Sequence, residues 1–417
     1  MRKLTVKNFS VIKEAELEFG KITVLIGPQS SGKSLLCKLA FFLHQVVPEI
    51  AIISLRSRTS FSEFKEMAQK EFLDRFPASA WGGQDFSIAY RAGSYSISVL
   101  NAVSGENPVI EFDLEFSRSY VRWVETHLEE GSAKGLIGSI NNGGPIVDSP
   151  IQLDDSSYIP TGRAFFSTPN KGFASFSNKN LDWITQRFSS EMDFNYRTLR
   201  NAADAKNHLL FEFGGAASTI LGGRVVTWDG VPHFQLNGSD RRLPFELLSS
   251  GTLELLPLLN PLSRVVSGSK YAKVSGIPAP GQLRGPIFVE EPETGVFPKT
   301  QYHLVRLFMW LANHEALCRS FAITTHSPYL LSSFNNLIEA GQVAAEKPEL
   351  RDRIAELIPE HFWVKQGDFK AYAIEEGILK SILAEDTGLV SDNYLDEVSE
   401  TIGAEFDELL RLGYVEA

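Results

Sequence analysis

The run Gly27-Pro28-Gln29-Ser30-Ser31-Gly32-Lys33-Ser34 fits the spacing G-x-x-x-x-G-K-[ST], a pattern that holds phosphate. Glycines at either end let backbone N–H groups wrap an anion with no Cβ in the way. A helix starting at the end of the loop points its positive dipole end at the same anion. Lys33 can neutralise the outer phosphates, and the Ser34 hydroxyl can ligate the accompanying Mg²⁺. Gly27, Ser30, Ser31, Gly32, Lys33 and Ser34 are therefore the candidate nucleotide-binding residues. The plain alternative is a Gly/Ser turn that precedes a helix. The all but uninterrupted apolar run Ile22–Ile26 just ahead, with the spacing of a buried strand, argues against it.

Three later segments also carry chemistry. Leu248-Ser249-Ser250-Gly251 opens an apolar run to Leu259 with helical character. A Ser-Ser-Gly entry to a helix is a natural anion site, although the same residues serve as a simple N-cap. Ile287-Phe288-Val289-Glu290-Glu291-Pro292-Glu293 is an apolar strand that ends in carboxylates. Metal binding and water activation give such a strand a reason to end that way; an acidic loop is the alternative. Phe321-Ala322-Ile323-Thr324-Thr325-His326-Ser327-Pro328 reads as a strand followed by a helix capped by Ser327. His326 falls at the carboxyl end of that strand, where ligands collect in open α/β sheets; taken alone it could equally be a capping or core histidine.

These groups need a framework to hold them. Leu4, Val6 and Phe9 start a strand, and Ala15, Leu17 and Phe19 alternate with Glu14, Glu16 and Glu18 as in a half-buried strand. Ser34–Val47 has helical spacing. Ser87–Phe116 reads as antiparallel strands joined at Gly93 and Gly105, residues 131–150 as an exposed loop, 181–213 as helical, and 224–237 as a hairpin turning at Asp229-Gly230. Ser267–Gly285 is a Gly/Pro/Ser-rich connection. No internal repeat and no sustained heptad pattern is present, which argues against long coiled-coil arms.

The order phosphate loop, Ser-Ser-Gly helix, Glu-Glu strand and strand-His resembles the ABC-type ATPase head of RecF, SMC-like and OLD-family ATPases. Within that group it is most similar to OLD-like AAA-family ATPases, on Asn8-Phe9, Glu290-Glu291-Pro292-Glu293 and Thr324-Thr325-His326-Ser327-Pro328. The resemblance covers about 1–45 and 224–333 of the chain. It implies an α/β fold: a P-loop NTPase head of ABC type with an antiparallel β-subdomain and an inserted helical lobe. The implied units are a first head lobe (1–168), a helical insertion (169–223), a second head lobe (224–333) and a C-terminal extension (334–417). By the same resemblance Lys33 and Ser34 are the Walker A residues, Glu290 the metal-site acid, Glu291 the base that orients the attacking water, and His326 the switch that senses the γ-phosphate. Ser249 and Gly251 would be the signature that grips the γ-phosphate of a second subunit. ATP and Mg²⁺ are the implied ligands, and a homodimer closed on ATP is the implied assembly.

There are departures from the family pattern. Glu290 stands where many heads have Asp, Ser250 where Gly is usual and Thr252 where Gln is usual. Gln152 is the nearest thing to a Q-loop glutamine. Arg163, in Ile159-Pro160-Thr161-Gly162-Arg163, resembles a Pro-containing Arg segment of this group but receives no role, a surface arginine being as good a reading. The nuclease domain that follows the ATPase in known OLD nucleases has no readable acidic cluster after His326. Residues 362–376 look like a short hairpin around Gly367-Asp368. Leu395, Val398, Ile402, Phe406, Leu409 and Leu410 form one helical stripe, expected to pack on its own head and otherwise to dock a partner.

Composition sets the outer limits. Of 417 residues, 43% are hydrophobic and 22% charged, an ordinary soluble composition. Forty Lys+Arg against 51 Asp+Glu give a net charge of −11, which argues against coating nucleic acid by bulk charge. Two cysteines, Cys37 and Cys318, exclude a disulfide scaffold and fit a reduced cytoplasmic setting. No signal peptide is readable. The longest apolar stretch, Leu35–Leu55, is interrupted by Lys38, His44, Gln45, Pro48 and Glu49 and is too polar to span a bilayer, so no membrane is expected. The leading expectation is an ATP-driven switch whose effector, a nuclease or toxin, is a separate protein of a bacterial anti-phage system. A RecF-like clamp on DNA, with candidate basic residues Arg56, Arg58, Arg241 and Arg242, is the second, and a degenerate scaffold the third.

Overall fold

The structure is a computed structural model. It describes residues 2–57, 59–82, 84–93, 95–104, 109–116, 156–167, 181–193, 196–202, 204–267, 285–317, 319–391 and 403–411. The expected loop at 131–150, Gln152, Arg58, Cys318, Gly105, Leu395, Val398, Ile402 and most of Ser267–Gly285 lie outside them.

A mixed sheet of eleven strands runs through the described residues. In chain order these are β1 (Arg2–Phe9), β2 (Ile12–Phe19), β3 (Ile22–Ile26), β4 (Phe86–Ala92), β5 (Tyr95–Ser104), β6 (Val109–Phe116), β7 (Ser157–Ile159), β11 (Pro286–Glu290), β12 (Ser320–Thr324), β13 (Phe369–Glu375) and β14 (Ile378–Ser381). β8 (Gly223–Trp228), β9 (Val231–Leu236) and β10 (Arg242–Leu243) form a separate small sheet. The large sheet has the order β6-β5-β4-β1-β2-β14-β13-β3-β12-β11-β7. Its β13-β3-β12-β11-β7 portion is parallel, and the β6-β5-β4-β1-β2 portion antiparallel. The fold is thus α/β, and the expected antiparallel strands continue the central sheet through the β4–β1 pairing.

The parallel strands are buried on both faces, and side-chain alternation sorts them into two cores. Ile22, Val24, Ile287, Val289, Phe321, Ile323, Ala371 and Ala373 point into one. Leu25, Phe288, Ala322, Tyr372 and Ile374 point into the other. The first is covered by the helices His208–Leu221, Ser250–Val266, Pro298–Asn313 and Pro328–Glu346. The second is rich in rings: Phe41 and Tyr158 pack edge-on at 5.4 Å, and Tyr158 stacks on Phe288 at 5.7 Å.

Several expectations need correction. The helix after the phosphate loop does not stop before Pro48. Lys33–Phe41 passes into a π turn, Phe42–Val46, and continues as Val47–Ser57. The wider turn accommodates a residue that has no N–H to give. By length and composition Lys33–Ala51 could cross a membrane, but 78% of its apolar window is buried inside the protein, as befits a core helix. The C-terminal hairpin turns at Glu376-Gly377 between β13 and β14, whereas Gly367-Asp368 lies ahead of β13. β13 inserts beside β3 in the centre of the sheet, and the β13–β14 hairpin fills the gap to β2. The described part of the C-terminal stripe, in a helix over 403–411, does not pack on the head: Phe406, Leu409 and Leu410 are exposed. The hairpin at Asp229-Gly230 is as expected, with φ of 49° and 78°, the pair of left-handed residues that a type I′ turn requires.

Candidate functional site

β3, β12 and β11 are adjacent and parallel, so their carboxyl ends deliver three loops to one edge. Leu25 pairs with Thr324, and Thr324 with Glu290. The phosphate loop leaves β3, the two glutamates terminate β11, and His326 follows β12. This edge is where an open α/β sheet offers a crevice to a ligand.

The loop's glycines are required by its geometry. Gly27 has φ of 150°, and a Cβ there would lie 2.8 Å from the carbonyl oxygen of Ile374 on β13. Gly32 has φ of 105°, and its Cβ would meet the Ile12 side chain at 2.4 Å. Ser30 takes a left-handed φ of 61°. Lys33 is buried, and its Nζ donates to the carbonyls of Gly27 at 2.8 Å and Pro28 at 2.7 Å. An ammonium has three donors, so one is left for a phosphate. Burial pushes the Lys33 pKa down, while the carboxylates of Glu291 and Glu293 pull it back up. The Ser31 hydroxyl is buried with no hydrogen-bond partner. A cradle that a methyl would fill, an orphaned hydroxyl and a spare ammonium proton all suit a bound polyphosphate.

Glu290 is buried at the end of β11. Its Oε1 accepts from the Tyr158 hydroxyl at 2.5 Å and its Oε2 from the Thr161 N–H at 3.2 Å. The Thr161 hydroxyl also donates to Oε2, at 3.5 Å, so it is Oε1 that keeps a further lone pair for a cation. Burial, and then the Glu290 charge, raise the Tyr158 pKa far above the ordinary phenol value, so the hydroxyl remains a donor. Cys37, raised by the same two causes, stays a neutral thiol. The donor set of Ser34 and Glu290 is all oxygen. Among the described residues no group of three or more His, Cys, Asp or Glu forms a cage for a metal. Few protein oxygens, completed by phosphate and water, suit Mg²⁺. Such a cation would supply charge neutralisation at the transferred phosphoryl group.

Glu291 takes a left-handed φ of 40°, strained for a residue with a side chain. Its N–H donates to the Thr324 carbonyl at 2.9 Å, which ties the strained residue to β12. Its Oε1 lies 3.6 Å from His326 Nε2, and Thr294 Oγ1 donates to its Oε2 at 3.4 Å. Both side chains are about one-third exposed, so the pair opens to solvent at the head of the crevice. The structure thus brings Lys33, Glu290, Glu291 and His326 to one edge of the sheet.

The signature residues relate to this centre through backbone only. Ser249 caps the helix Ser250–Val266, its Oγ accepting from the Thr252 N–H at 3.2 Å and pairing with the Thr252 hydroxyl at 2.9 Å. Ser249 and Ser250 face solvent. A Cβ on Gly251 would lie 2.6 Å from the Gly295 carbonyl oxygen, so the helix is pressed against the turn that follows Glu291.

Sequence reasoning assigned no role to four residues that the structure ties to the site. Tyr158 and Thr161 fix the Glu290 carboxylate. Glu293 Oε1 accepts from the Thr325 hydroxyl at 2.8 Å and from the His326 N–H at 2.6 Å, pinning the switch segment. Arg163, given no role from the sequence with a surface arginine as good a reading, is fully buried. A hint lay in the buried triplet Ser157-Tyr158-Ile159 running into Pro160-Thr161-Gly162-Arg163: a strand that ends on an arginine aims it at the same edge as β11.

Comparison with known proteins gives a family and two distant folds. No curated protein matches the chain. Of solved structures, an SMC head domain from Thermotoga maritima is 12% identical, over 92% of this chain and 98% of that one, with a TM-score of 0.38. An SMC head domain from Pyrococcus furiosus, with an extended coiled coil and bound to the C-terminal domain of ScpA, is 12% identical, over 92% and 96%, with a TM-score of 0.35. Likeness this slight adds nothing to the reading of the site. A family model, in contrast, matches residues 22–332 and so spans the phosphate loop, both glutamates and His326. The chain belongs to that family of P-loop ATPase domains, described as "AAA domain, putative AbiEii toxin, Type IV TA system".

Proposed function

We propose that the chain is an ATP-hydrolysing switch that works as a homodimer. ATP lies between the phosphate loop of one copy and the signature helix of the other. The observation that carries this is the split character of the site. Lys33, Glu290, Glu291 and His326 converge on one crevice, whereas Ser249 and Ser250 turn their capped helix end to solvent. A second copy that fits its Ser249 end over the crevice completes each site. Large apolar side chains flank the same segments. Leu247 is 69%, Phe297 74% and Tyr329 55% exposed, apolar surface that a second copy would cover.

In hydrolysis Lys33 neutralises the phosphates. Glu291 accepts a proton from the water that attacks the γ-phosphorus as the bond to the ADP oxygen breaks. His326, held 3.6 Å from Glu291, orients it and touches the γ-phosphate. Loss of that phosphate removes the bridge and lets the copies part. The output lies in a separate effector protein, a nuclease or toxin, in bacterial anti-phage defence. This last step rests on the sequence resemblance, with a family description that names a toxin system as support. A clamp on DNA finds less support: Arg242 is stacked on Trp228 at 4.1 Å, and the net charge is −11.

The test is particle mass with and without ATP, together with phosphate release. A mass that doubles with ATP and returns as ATP is consumed supports the switch. A monomer that holds ATP rejects the dimer, and absence of turnover rejects the ATPase.

A further inference from the structure

Arg163 stands first among the large fully buried side chains of the described residues, and it lies on none of the elements it joins. It follows β7, in a short turn over Arg163–Phe166. Its Nη1 donates to the carbonyls of Pro160 at 3.1 Å and Glu290 at 2.8 Å, and its Nη2 to the Glu291 carbonyl at 3.0 Å. Its Nε donates to the Glu254 carbonyl at 3.2 Å and lies 3.5 Å from the Glu254 carboxylate. One rigid fork therefore grips the main chain of both glutamates at the end of β11 and one turn of the signature helix.

We propose that Arg163 is a positioning residue that couples the signature helix to Glu291, so that engagement of the helix by a second copy sets the catalytic turn. The proposal rests on the ATPase reading above. Three features carry it. Glu254 lies one turn into a helix whose exposed first residues are the ones a second copy would meet, and a helix of this length moves as a body. Glu291 is held in a strained conformation, and its carbonyl is one of the fork's acceptors, so a small shift of the fork reaches the residue whose orientation matters. A buried ion pair adds little net stability, but a planar guanidinium fixes the relative position of its acceptors. Arg163 takes main-chain oxygens of Glu290 and Glu291, which leaves both carboxylates to the chemistry.

The experiment compares wild type with Glu254→Gln, which keeps the shape and removes the charge, and with Arg163→Lys, which keeps the charge and loses the fork. Hydrogen exchange is read at the Glu291, Thr294 and Val296 amides, which bond to Thr324, Glu291 and Glu293. ATP affinity and kcat are measured on the same samples. Loss of the ion pair between Arg163 and the Glu254 carboxylate predicts about tenfold faster exchange at these amides in Glu254→Gln, although the change lies on the far side of Arg163 and leaves the bond to the Glu254 carbonyl in place. It also predicts kcat lowered about tenfold to hundredfold, with ATP affinity within about threefold of wild type. Lysine does not rescue either readout. Faster exchange confined to 250–266 with kcat unchanged overturns the coupling, as does parallel loss of affinity and kcat in both variants. A wild type that binds no ATP, while Glu254→Gln still loosens 291–296, sinks the ATPase reading and leaves the coupling standing.

Discussion

Glu291→Gln separates binding from chemistry. The amide is isosteric with the acid. The backbone contacts of residue 291, to the Thr324 carbonyl and from Arg163, do not involve the side chain and survive. The side chain is about one-third exposed, and its polar partners among the described residues are His326 Nε2 at 3.6 Å and Thr294 Oγ1 at 3.4 Å, so stability should change by less than about 1 kcal/mol. Removing the base should lower kcat about a hundredfold to ten-thousandfold, which at about 1.4 kcal/mol per decade raises the barrier by about 3–5 kcal/mol. Glu291 is also one of the two acids whose charge acts on Lys33. Its neutralisation removes repulsion from a triphosphate, so ATP affinity should hold or tighten, and the ATP-bound assembly should persist. The assay is single-turnover phosphate release with an equilibrium titration of ATP and a thermal melt on one preparation. Turnover equal to wild type, with the melt unchanged, would refute the assignment of Glu291 as the base.

Lys33→Ala removes the two loop-closing bonds to Gly27 and Pro28 and the spare donor. ATP affinity should fall at least about a hundredfold, and an unchanged titration would show that the loop does not hold phosphate. Burial holds the Lys33 pKa below that of a free lysine, so in the ATP-free protein the ammonium costs stability at all pH values below the folded pKa. That cost is relieved as pH rises through the lowered folded value toward the unfolded one. ATP binding needs the ammonium and should weaken over the same alkaline window; affinity that is flat across it, measured by titration against pH, would contradict this. Gly251→Ala puts a methyl 2.6 Å from the Gly295 carbonyl and should cost about 1–3 kcal/mol, seen as a lower Tm with reduced turnover. Gly215→Ala, in the helix His208–Leu221 with nothing within 4 Å of the new Cβ, should instead raise Tm, by about 0.5–1 kcal/mol of stability.

What was legible in the sequence was local. Gly27 to Ser34 announces its own geometry because the φ values and close approaches at Gly27 and Gly32 favour glycine. Glu290, Glu291 and His326 could be placed because each ends a short apolar strand, and parallel strands present their ends together. The partners of these residues were not legible, since their contacts cross long stretches of chain. Tyr158 reaches Glu290, and Arg163 reaches Glu254 and Glu291, only after β7 has docked beside β11. The π turn before Pro48 was equally hidden, because proline at that point ordinarily signals a helix end. The stripe at Phe406, Leu409 and Leu410 had the period of a packed helix, but periodicity reports only that one face is apolar, not what covers it.

The place of β13 bears on how the chain is made. β3 leaves the ribosome long before its neighbour on one side, β13, whose Ile374 supplies the wall against which Gly27 is closed. Until Phe369–Glu375 emerges, the edge of β3 is bare and the nucleotide cradle lacks a side. Nucleotide therefore cannot guide the early stages of synthesis. Throughout that interval the growing chain carries a hydrophobic strand with a bare edge, the kind of edge that is open to non-native pairing.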